Sequence, residues 1–342
     1  MLKSKNWRLA AVFLVALLGG VSNAGAAVSV VTTISGQTGA DPGSIATDGT
    51  SLYFGVQDSI YKVSNGGGSA TALYSHVIPS APYINGLTVL GSNVYFQNAN
   101  SGSGTSTAIY YAPTSGGGPV STLCDNCSIF DGASLATDGA KLYSADYAYG
   151  RVGSYVPPSA GSFSWVLNPG PYTYEQMVAL TVGGGKAYIA SSGAVTGLYS
   201  VSASGGSAQL LLGSSPDLLN VNSMTYDNGT LRWTNGGNTV FSMAATGGPV
   251  TSFSDASLSS LTGITALNGA LYLEGTVGHD TVIWTTAPIP EPDTYAMMLA
   301  GLGLMGFIGR RRKQQDALNQ FQPRSHQDPA TGGGAGIMKM QR

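Results

Sequence analysis

The sequence predicts an all-β chain folded as a six-bladed β-propeller with four-stranded blades, followed by a short C-terminal transmembrane helix. Three observations carry the prediction: a glycine-rich, charge-poor composition, a unit that recurs six times, and a lone N-terminal strand that supplies what the last unit lacks. Of 342 residues 49 are Gly and 18 are Tyr, while charged residues make up 9% and hydrophobic residues 43%. That mixture suits turn-rich β structure. It also holds too much apolar and aromatic surface for a chain that never packs.

The repeat is found by comparing residues 28–284 with themselves. Six segments align: SIATDGTSLYF from Ser44, NGLTVLGSNVYF from Asn85, SLATDGAKLYS from Ser134, VALTVGGGKAYI from Val178, SMTYDNGTLRW from Ser223 and GITALNGALYL from Gly263. Their equivalent positions Tyr53, Tyr95, Tyr143, Tyr188, Arg232 and Tyr272 are 42, 48, 45, 44 and 40 residues apart. A period of about 40–50 residues marks a propeller or a solenoid of supersecondary units.

Each unit reads as four strands. The first ends in an Asp-Gly, Asn-Gly or Gly-Gly turn, the chemistry of a tight hairpin with positive φ. The second alternates, as in Leu52-Tyr53-Phe54. A third carries Ile-Tyr, Leu-Tyr or Val-Phe (Ile60, Ile109, Leu198, Val240), then a glycine turn leads to a fourth such as ATALY or PVTSF. Four antiparallel strands per repeat make a propeller blade.

The last unit stops at Trp284 after its third strand, whereas Val28 to Ile34 (VSVVTTI) forms a lone strand ahead of the first unit. Placed beside the strand of Trp284, it completes the sixth blade, closes the ring and removes the edges an open stack would expose. A solenoid would need polar caps, which are not seen. Seven blades or an open β array are the alternatives to six. The propeller body is assigned to residues 28–285.

Both ends read as addresses. Residues 1–26 have the form of a signal peptide: Lys3, Lys5 and Arg8, an apolar run from Leu9 to Leu18, then small residues that permit cleavage after Ala24 or Ala26. The run is too short for a membrane span and ends in Gly19–Gly20. At the other end, residues 286–313 hold Pro290, Glu291 and Pro292, a spacer, an apolar stretch 295–308, and Arg310, Arg311 and Arg312. This order resembles the PEP-CTERM sorting signal, with Thr294, Ala296, Leu299, Gly301 and Leu302 where that signal has such residues.

Fourteen residues at 1.5 Å rise span about 21 Å, short of a hydrocarbon core of about 30 Å, which suits a temporary anchor with a cytoplasmic arginine flank. The prolines stop the helix and leave an extended segment for a processing enzyme to grip. The resemblance implies a Gram-negative host, recognition by an exosortase-type membrane enzyme, and removal of the tail after export to the cell surface or beyond. It also implies an association with exopolysaccharide and biofilm or floc formation. Residues 314–342 extend past the arginines, unlike the usual signal; they are polar, lack periodicity and read as a disordered cytoplasmic tail.

The charge is segregated. The body between the two addresses holds five basic and thirteen acidic residues, a net of about −8. So acidic and lysine-poor a body excludes nucleic acid as a partner.

Candidate chemistry is sparse. His76, His279 and His326 stand apart from any nucleophile or metal-ligand spacing, and no HExxH, GxSxG or P-loop occurs. Cys124 and Cys127 form a CxxC without a second pair or histidines for zinc, so a small local disulfide is expected of an exported chain. The Asp48–Gly49 and Asp138–Gly139 pairs are hairpin turns, not calcium loops, which need several oxygen ligands at short spacings. Tyr143 to Tyr155, with Tyr172 and Tyr174, could form a sugar-stacking surface, but tyrosines at alternating strand positions more often serve blade packing.

No catalytic residue, cofactor or metal is assigned. The reading is an exported, non-enzymatic binding or structural protein of the surface or extracellular matrix, with exopolysaccharide or matrix components as partners. The alternatives are an exported glycan lyase or hydrolase, with Asp146, Glu175 or Asp227 near the central channel, and a periplasmic ligand-binding scaffold.

Overall fold

The computed structural model describes residues 27–37, 44–75, 77, 84–98, 108–124, 127, 132–147, 149–157, 159–168, 176–192 and 196–286. The chain divides into two compact units, Met1–Ile289 and Pro290–Arg342. The second unit lies outside the described residues, as do residues 1–26, where the sequence predicts a signal peptide. Among the described residues no helix is long and apolar enough to cross a membrane.

The body is a six-bladed propeller. A first strand β1 (Val28–Ile34) precedes blade one, which is β2 (Ile45–Thr47), β3 (Ser51–Val56), β4 (Ser59–Ser64) and β5 (Thr71–Tyr74). Blade two is β6 (Ile84–Leu90), β7 (Asn93–Asn98), β8 (Ile109–Pro113) and β9 (Ser121–Cys124). Blade three is β10 (Gly132–Thr137), β11 (Leu142–Asp146), β12 (Arg151–Val156) and β13 (Ser159–Leu167). Blade four is β14 (Met177–Gly183), β15 (Lys186–Ser191), β16 (Gly197–Ser202) and β17 (Gln209–Leu212). Blade five is β18 (Ser223–Asp227), β19 (Thr230–Thr234), β20 (Thr239–Ala244) and β21 (Thr251–Ser254). Blade six has β22 (Leu261–Leu267), β23 (Ala270–Val277) and β24 (Asp280–Thr286), and its outer strand is β1. Val30 pairs with Trp284 and Ile34 with Thr281, the closure that the sequence pattern predicts.

Strand alternation builds the core. On the inner strands, Ile45, Leu87, Leu135, Leu180, Met224 and Ile264 each pack toward the preceding blade. On the second strands, Tyr53, Tyr95, Tyr143, Tyr188 and Tyr272 pack toward the following one. Because successive side chains leave opposite faces of a strand, one alternating run serves two neighbours at once. The result is a wedge of buried apolar side chains between each pair of adjacent blades, including six and one, rather than one central core.

A second device locks the rim. The outer strand bulges in blades one, two, three, four and six, at Leu73, Leu123, Val166, Leu211 and Val31, and in blade three the register shifts a second time between Ser159 and Ser164. Two of these bulges are gripped by the glycine turn of the next blade: Gly68 N–H donates to Val31 O at 3.2 Å and Gly206 N–H to Val166 O at 3.3 Å. Both glycines have positive φ, +125° and +139°, and no side chain intrudes on the bond. Blade five has no such bulge, and the blade that follows it has no third-to-fourth hairpin, because its outer strand comes from the N-terminus.

Candidate functional site

The inner strands meet in the order β2, β6, β10, β14, β18, β22 and back to β2, enclosing a central channel. The channel holds about 220 Å³ and is lined by equivalent stretches of all six blades, from Ile45–Thr47 round to Ile264–Ala266. Each inner strand is the edge of its sheet, so much of the wall is backbone N–H and C=O. The lining side chains are aliphatic or hydroxylic, such as Thr88, Ser134, Thr181 and Thr265; Tyr226 is the one titratable group among them. No carboxylate and no imidazole is among the lining residues. Chemically, such a wall hydrogen-bonds water or a neutral polar guest.

Tyr226 sits over the neighbouring turn. Its ring stacks on Tyr188 at 5.7 Å, and a Cβ added at Gly183 would fall 2.0 Å from it. That close approach explains a glycine at a position where a side chain would collide with the ring.

The carboxylates that the sequence offered as channel acids are engaged elsewhere. Asp146 is fully buried and takes Arg151 through both Nε, at 3.0 Å, and Nη2. It also accepts from the Tyr149 N–H at 3.0 Å. The Arg151 guanidinium lies over the rings of Tyr149 and Trp165, at 4.6 and 4.7 Å. Asp227 accepts from Arg232 Nη1 at 3.0 Å. Neither carboxylate lines the channel. Glu175 lies outside the described residues.

The turn aspartates form one recurring arrangement. Tyr53 Oη donates to Asp48 at 2.8 Å and Tyr143 Oη to Asp138 at 2.6 Å, each five residues on across the same hairpin. Arg232 takes the place of the tyrosine in blade five and reaches Asp227 in the same way. Burial pushes the Asp48 carboxyl up, but hydrogen bonds from Thr50, Tyr53 and Ser51 outweigh it and bring it down to about 2. Asp138 is lowered too: bonds from Tyr143 and from the Lys141 and Ala140 backbone overcome its burial. These carboxylates serve the turns as acceptors. Among the described residues no group of three or more His, Cys, Asp or Glu side chains could hold a metal ion.

Cys124 and Cys127 are joined by a disulfide, with Cα atoms 5.5 Å apart. Tyr155 donates its hydroxyl to Cys127 O, tying the small loop to blade three. His279 is exposed in the turn between β23 and β24. His76, His326, Tyr172 and Tyr174 lie outside the described residues. Of the tyrosine-rich stretch, Tyr143 and Tyr155 are buried and only Tyr147 is exposed. The Asp146–Arg151–Trp165 cluster is absent from the sequence reading. Its signal was an Asp and an Arg five residues apart across a hairpin, in a body with only five basic residues.

Residues 288–313 match the PEP-CTERM protein-sorting motif. No curated protein matches the chain. Among solved structures the body is similar to a chain of the nidogen/laminin complex, at TM-score 0.55 and 16% identity over 66% of this chain and 86% of that one. It is similar as well to the PQQ-bound aldose sugar dehydrogenase of Streptomyces coelicolor, at TM-score 0.54 and 16% identity over 76% and 98%. At that identity the likeness shows the propeller fold alone. The chain is a six-bladed β-propeller carrying a PEP-CTERM sorting motif at residues 288–313, exported through the inner membrane, anchored there transiently and processed to the cell surface by an exosortase-type enzyme.

Proposed function

We propose that the exported propeller is a non-enzymatic binding or structural protein of the cell surface or extracellular matrix, with exopolysaccharide or other matrix components as its partners. The observation that carries this reading is the channel, where enzymes of this architecture would be expected to place their chemistry. Its lining residues offer hydroxyls, backbone dipoles and one tyrosine, and no acid–base pair. Glycoside cleavage needs two carboxyl groups flanking the bond, and Asp146 and Asp227 are each held by an arginine away from the channel. A weakly charged, hydroxyl-rich surface suits neutral polymers.

The test uses the exported protein recovered from its producing host. It is incubated with the host's exopolysaccharide fraction, followed by co-sedimentation and by assay of new reducing ends and unsaturated sugars. Co-sedimentation without chain scission is the expected result. Release of reducing ends or unsaturated products would make the protein an enzyme, and absence of binding would remove the polysaccharide as partner.

A further inference from the structure

Of the Ser and Thr residues that line the central channel, four have their hydroxyls engaged by the protein. Thr47 and Thr137 donate to the carbonyls of Ser51 and Lys141 within their own hairpins, at 3.0 and 2.8 Å. Ser134 donates to Leu180 O at 3.4 Å and Ser223 accepts from the Ile264 N–H at 3.1 Å, each reaching the next blade. The other four, Thr88, Thr181, Thr225 and Thr265, make no side-chain hydrogen bond to the described residues, although the first three are only 7–8% exposed. Buried hydroxyls are nearly always hydrogen-bonded, and these threonines border the channel.

The four stand at one level of the ring. Each pairs across its hairpin with the recurring second-strand residue, Tyr95, Tyr188, Arg232 or Tyr272. Ala46 and Ala136 hold the same level in blades one and three. Thr181, Thr225 and Thr265 occupy consecutive blades, and across the channel from them Thr88 lies between the two alanines.

The wall sets the chemistry of a guest. A hydroxyl both donates and accepts, and the inner-strand edges add N–H and C=O groups, so a matching guest does both as well. The lining offers no carboxylate to neutralise a metal ion and no cationic side chain to hold an anion. An arc of three threonines facing two alanines suits a molecule with hydroxyls on its edge and C–H groups on its faces. The volume of about 220 Å³ far exceeds the roughly 10–15 Å³ that a single water requires. We infer that this ring of threonines is a binding site for a neutral polyol of monosaccharide size, free or as the end residue of a glycan. The inference deepens the non-enzymatic binding reading and rests on it.

Calorimetric titration of the exported, processed protein with D-glucose, D-galactose, D-mannose and glycerol tests it, with each probe recovered afterwards and its integrity checked by NMR. Saturable binding of at least one probe is expected, at one site per chain and insensitive to salt because no charge takes part. Thr225→Val replaces a hydroxyl that has no protein partner by a methyl group. It should therefore fold as stably as wild type and bind about two- to tenfold more weakly. Thr225→Ser keeps the hydroxyl and the affinity, and Thr33→Val, on exposed β1, changes neither. A threonine that only shaped the fold would instead lose stability in Thr225→Val and leave affinity alone; Thr181→Val serves if that variant does not fold. Competition by the host's exopolysaccharide would mark a chain end as the guest, and its absence the free sugar. No saturable binding of any probe, or wild-type affinity in both valine variants, would overturn the inference while polysaccharide co-sedimentation still stood. Saturable binding of calcium chloride that excludes the sugar would assign the ring to a metal ion instead. Chemical conversion of a probe would overturn the non-enzymatic reading and the inference with it.

Discussion

Gly263 and Glu274 face each other across the inner hairpin of blade six, and the glycine leaves the room that the glutamate uses to reach blade one. Glu274 accepts a 2.7 Å hydrogen bond from Ser44 Oγ, both residues being wholly buried. Blade two repeats the device: Gly86 faces Gln97, which accepts from Ser144 of blade three at 3.1 Å. In the other blades the equivalent second-strand residue is shorter (Gly55, Ala145, Ala190, Thr234), and its partner is Ser or Ala. Glycine thus appears on the inner strand where a long polar side chain must pass.

A methyl group at Gly263 would lie 2.7 Å from Glu274 Oε2 and 2.8 Å from Ile45 Cγ2. Overpacking of this kind costs about 1–3 kcal/mol. Gly263→Ala is expected to lower the unfolding free energy by that amount, read as a lower midpoint of thermal or urea unfolding. Gly86→Ala, 2.9 Å from the Leu135 backbone nitrogen, is expected to behave alike. Unchanged midpoints in both would show that the blades shift apart at no cost.

Arg151 and Arg232 make outwardly similar pairs with an aspartate five residues earlier, yet their removal should differ. Asp146 is fully buried, so Arg151→Ala strands a charge, and breaking such a pair costs about 3–5 kcal/mol. Arg232 stands where the other blades carry tyrosine, and Tyr53 and Tyr143 already donate to a turn aspartate from that position. Arg232→Tyr is therefore expected to stay within about 1 kcal/mol of wild type, since it restores the arrangement of blades one and three. Denaturant unfolding of the two variants side by side decides the matter; equal losses would refute the equivalence of the blades.

The turn aspartates predict a pH dependence of definite sign. Their folded pKa values lie below the ordinary 3.8, so the stability they contribute is fully present above that pH and is lost as pH falls toward the folded value, about 2 for Asp48. Asp48→Asn keeps a turn-forming residue but removes the titration. Unfolding midpoints followed between pH 5 and pH 2 are expected to fall less steeply in the variant than in wild type. Parallel curves would mean that Asp48 is not the group responsible.

Processing is predicted from the other end of the molecule. The mature chain is expected to start at Gly25 or Ala27, to end near Pro290–Pro292, and to be recovered outside the inner membrane. Replacing Pro290–Glu291–Pro292 with three alanines should leave a product in the inner membrane that retains Arg310–Arg312. Mass spectrometry of both termini after cell fractionation reads the difference directly. A wild-type product that keeps its arginines in the inner membrane would contradict the processing scheme.

Much of the fold was legible because its causes are local. The Asp-Gly and Asn-Gly turns, the alternation around Tyr53 or Tyr143 and the orphan strand 28–34 each act within a few residues of themselves. What stayed hidden depends on contacts between blades. Nothing near Val31 in sequence announces that Gly68 will grip its carbonyl, and nothing near Gly263 announces Ser44. A deeper periodicity emerges only once the inner strands are aligned in space. Blades one, three and five carry Ser44, Ser134 and Ser223 with a turn aspartate; blades two, four and six carry Gly86, Ala179 and Gly263 without one. The sequence thus repeats in pairs of blades. The site was the least legible part, because the channel wall is largely the backbone edge of inner strands, and side-chain motifs do not report on it. Asp146 and Asp227 looked like channel acids for the same reason: their arginine partners lie across a turn, not beside them in the chain.

Ring closure by β1 yields the last prediction. Val31 is buried, packed with Leu52, Phe54 and Ile283 in the wedge between blades six and one, while Thr33 on the same strand is exposed. A carboxylate at Val31 would enter that wedge without a partner and is expected to cost more than about 3 kcal/mol. The same group at Thr33 faces solvent and should change stability by less than about 0.5 kcal/mol. Thermal unfolding of Val31→Asp and Thr33→Asp therefore reports whether the N-terminal strand holds the ring shut. If the two variants melt together, β1 is not docked as blade six requires, and the strand of Trp284 is left as an open edge. If only Val31→Asp fails, the ring depends on the N-terminal strand being docked against the strand of Trp284.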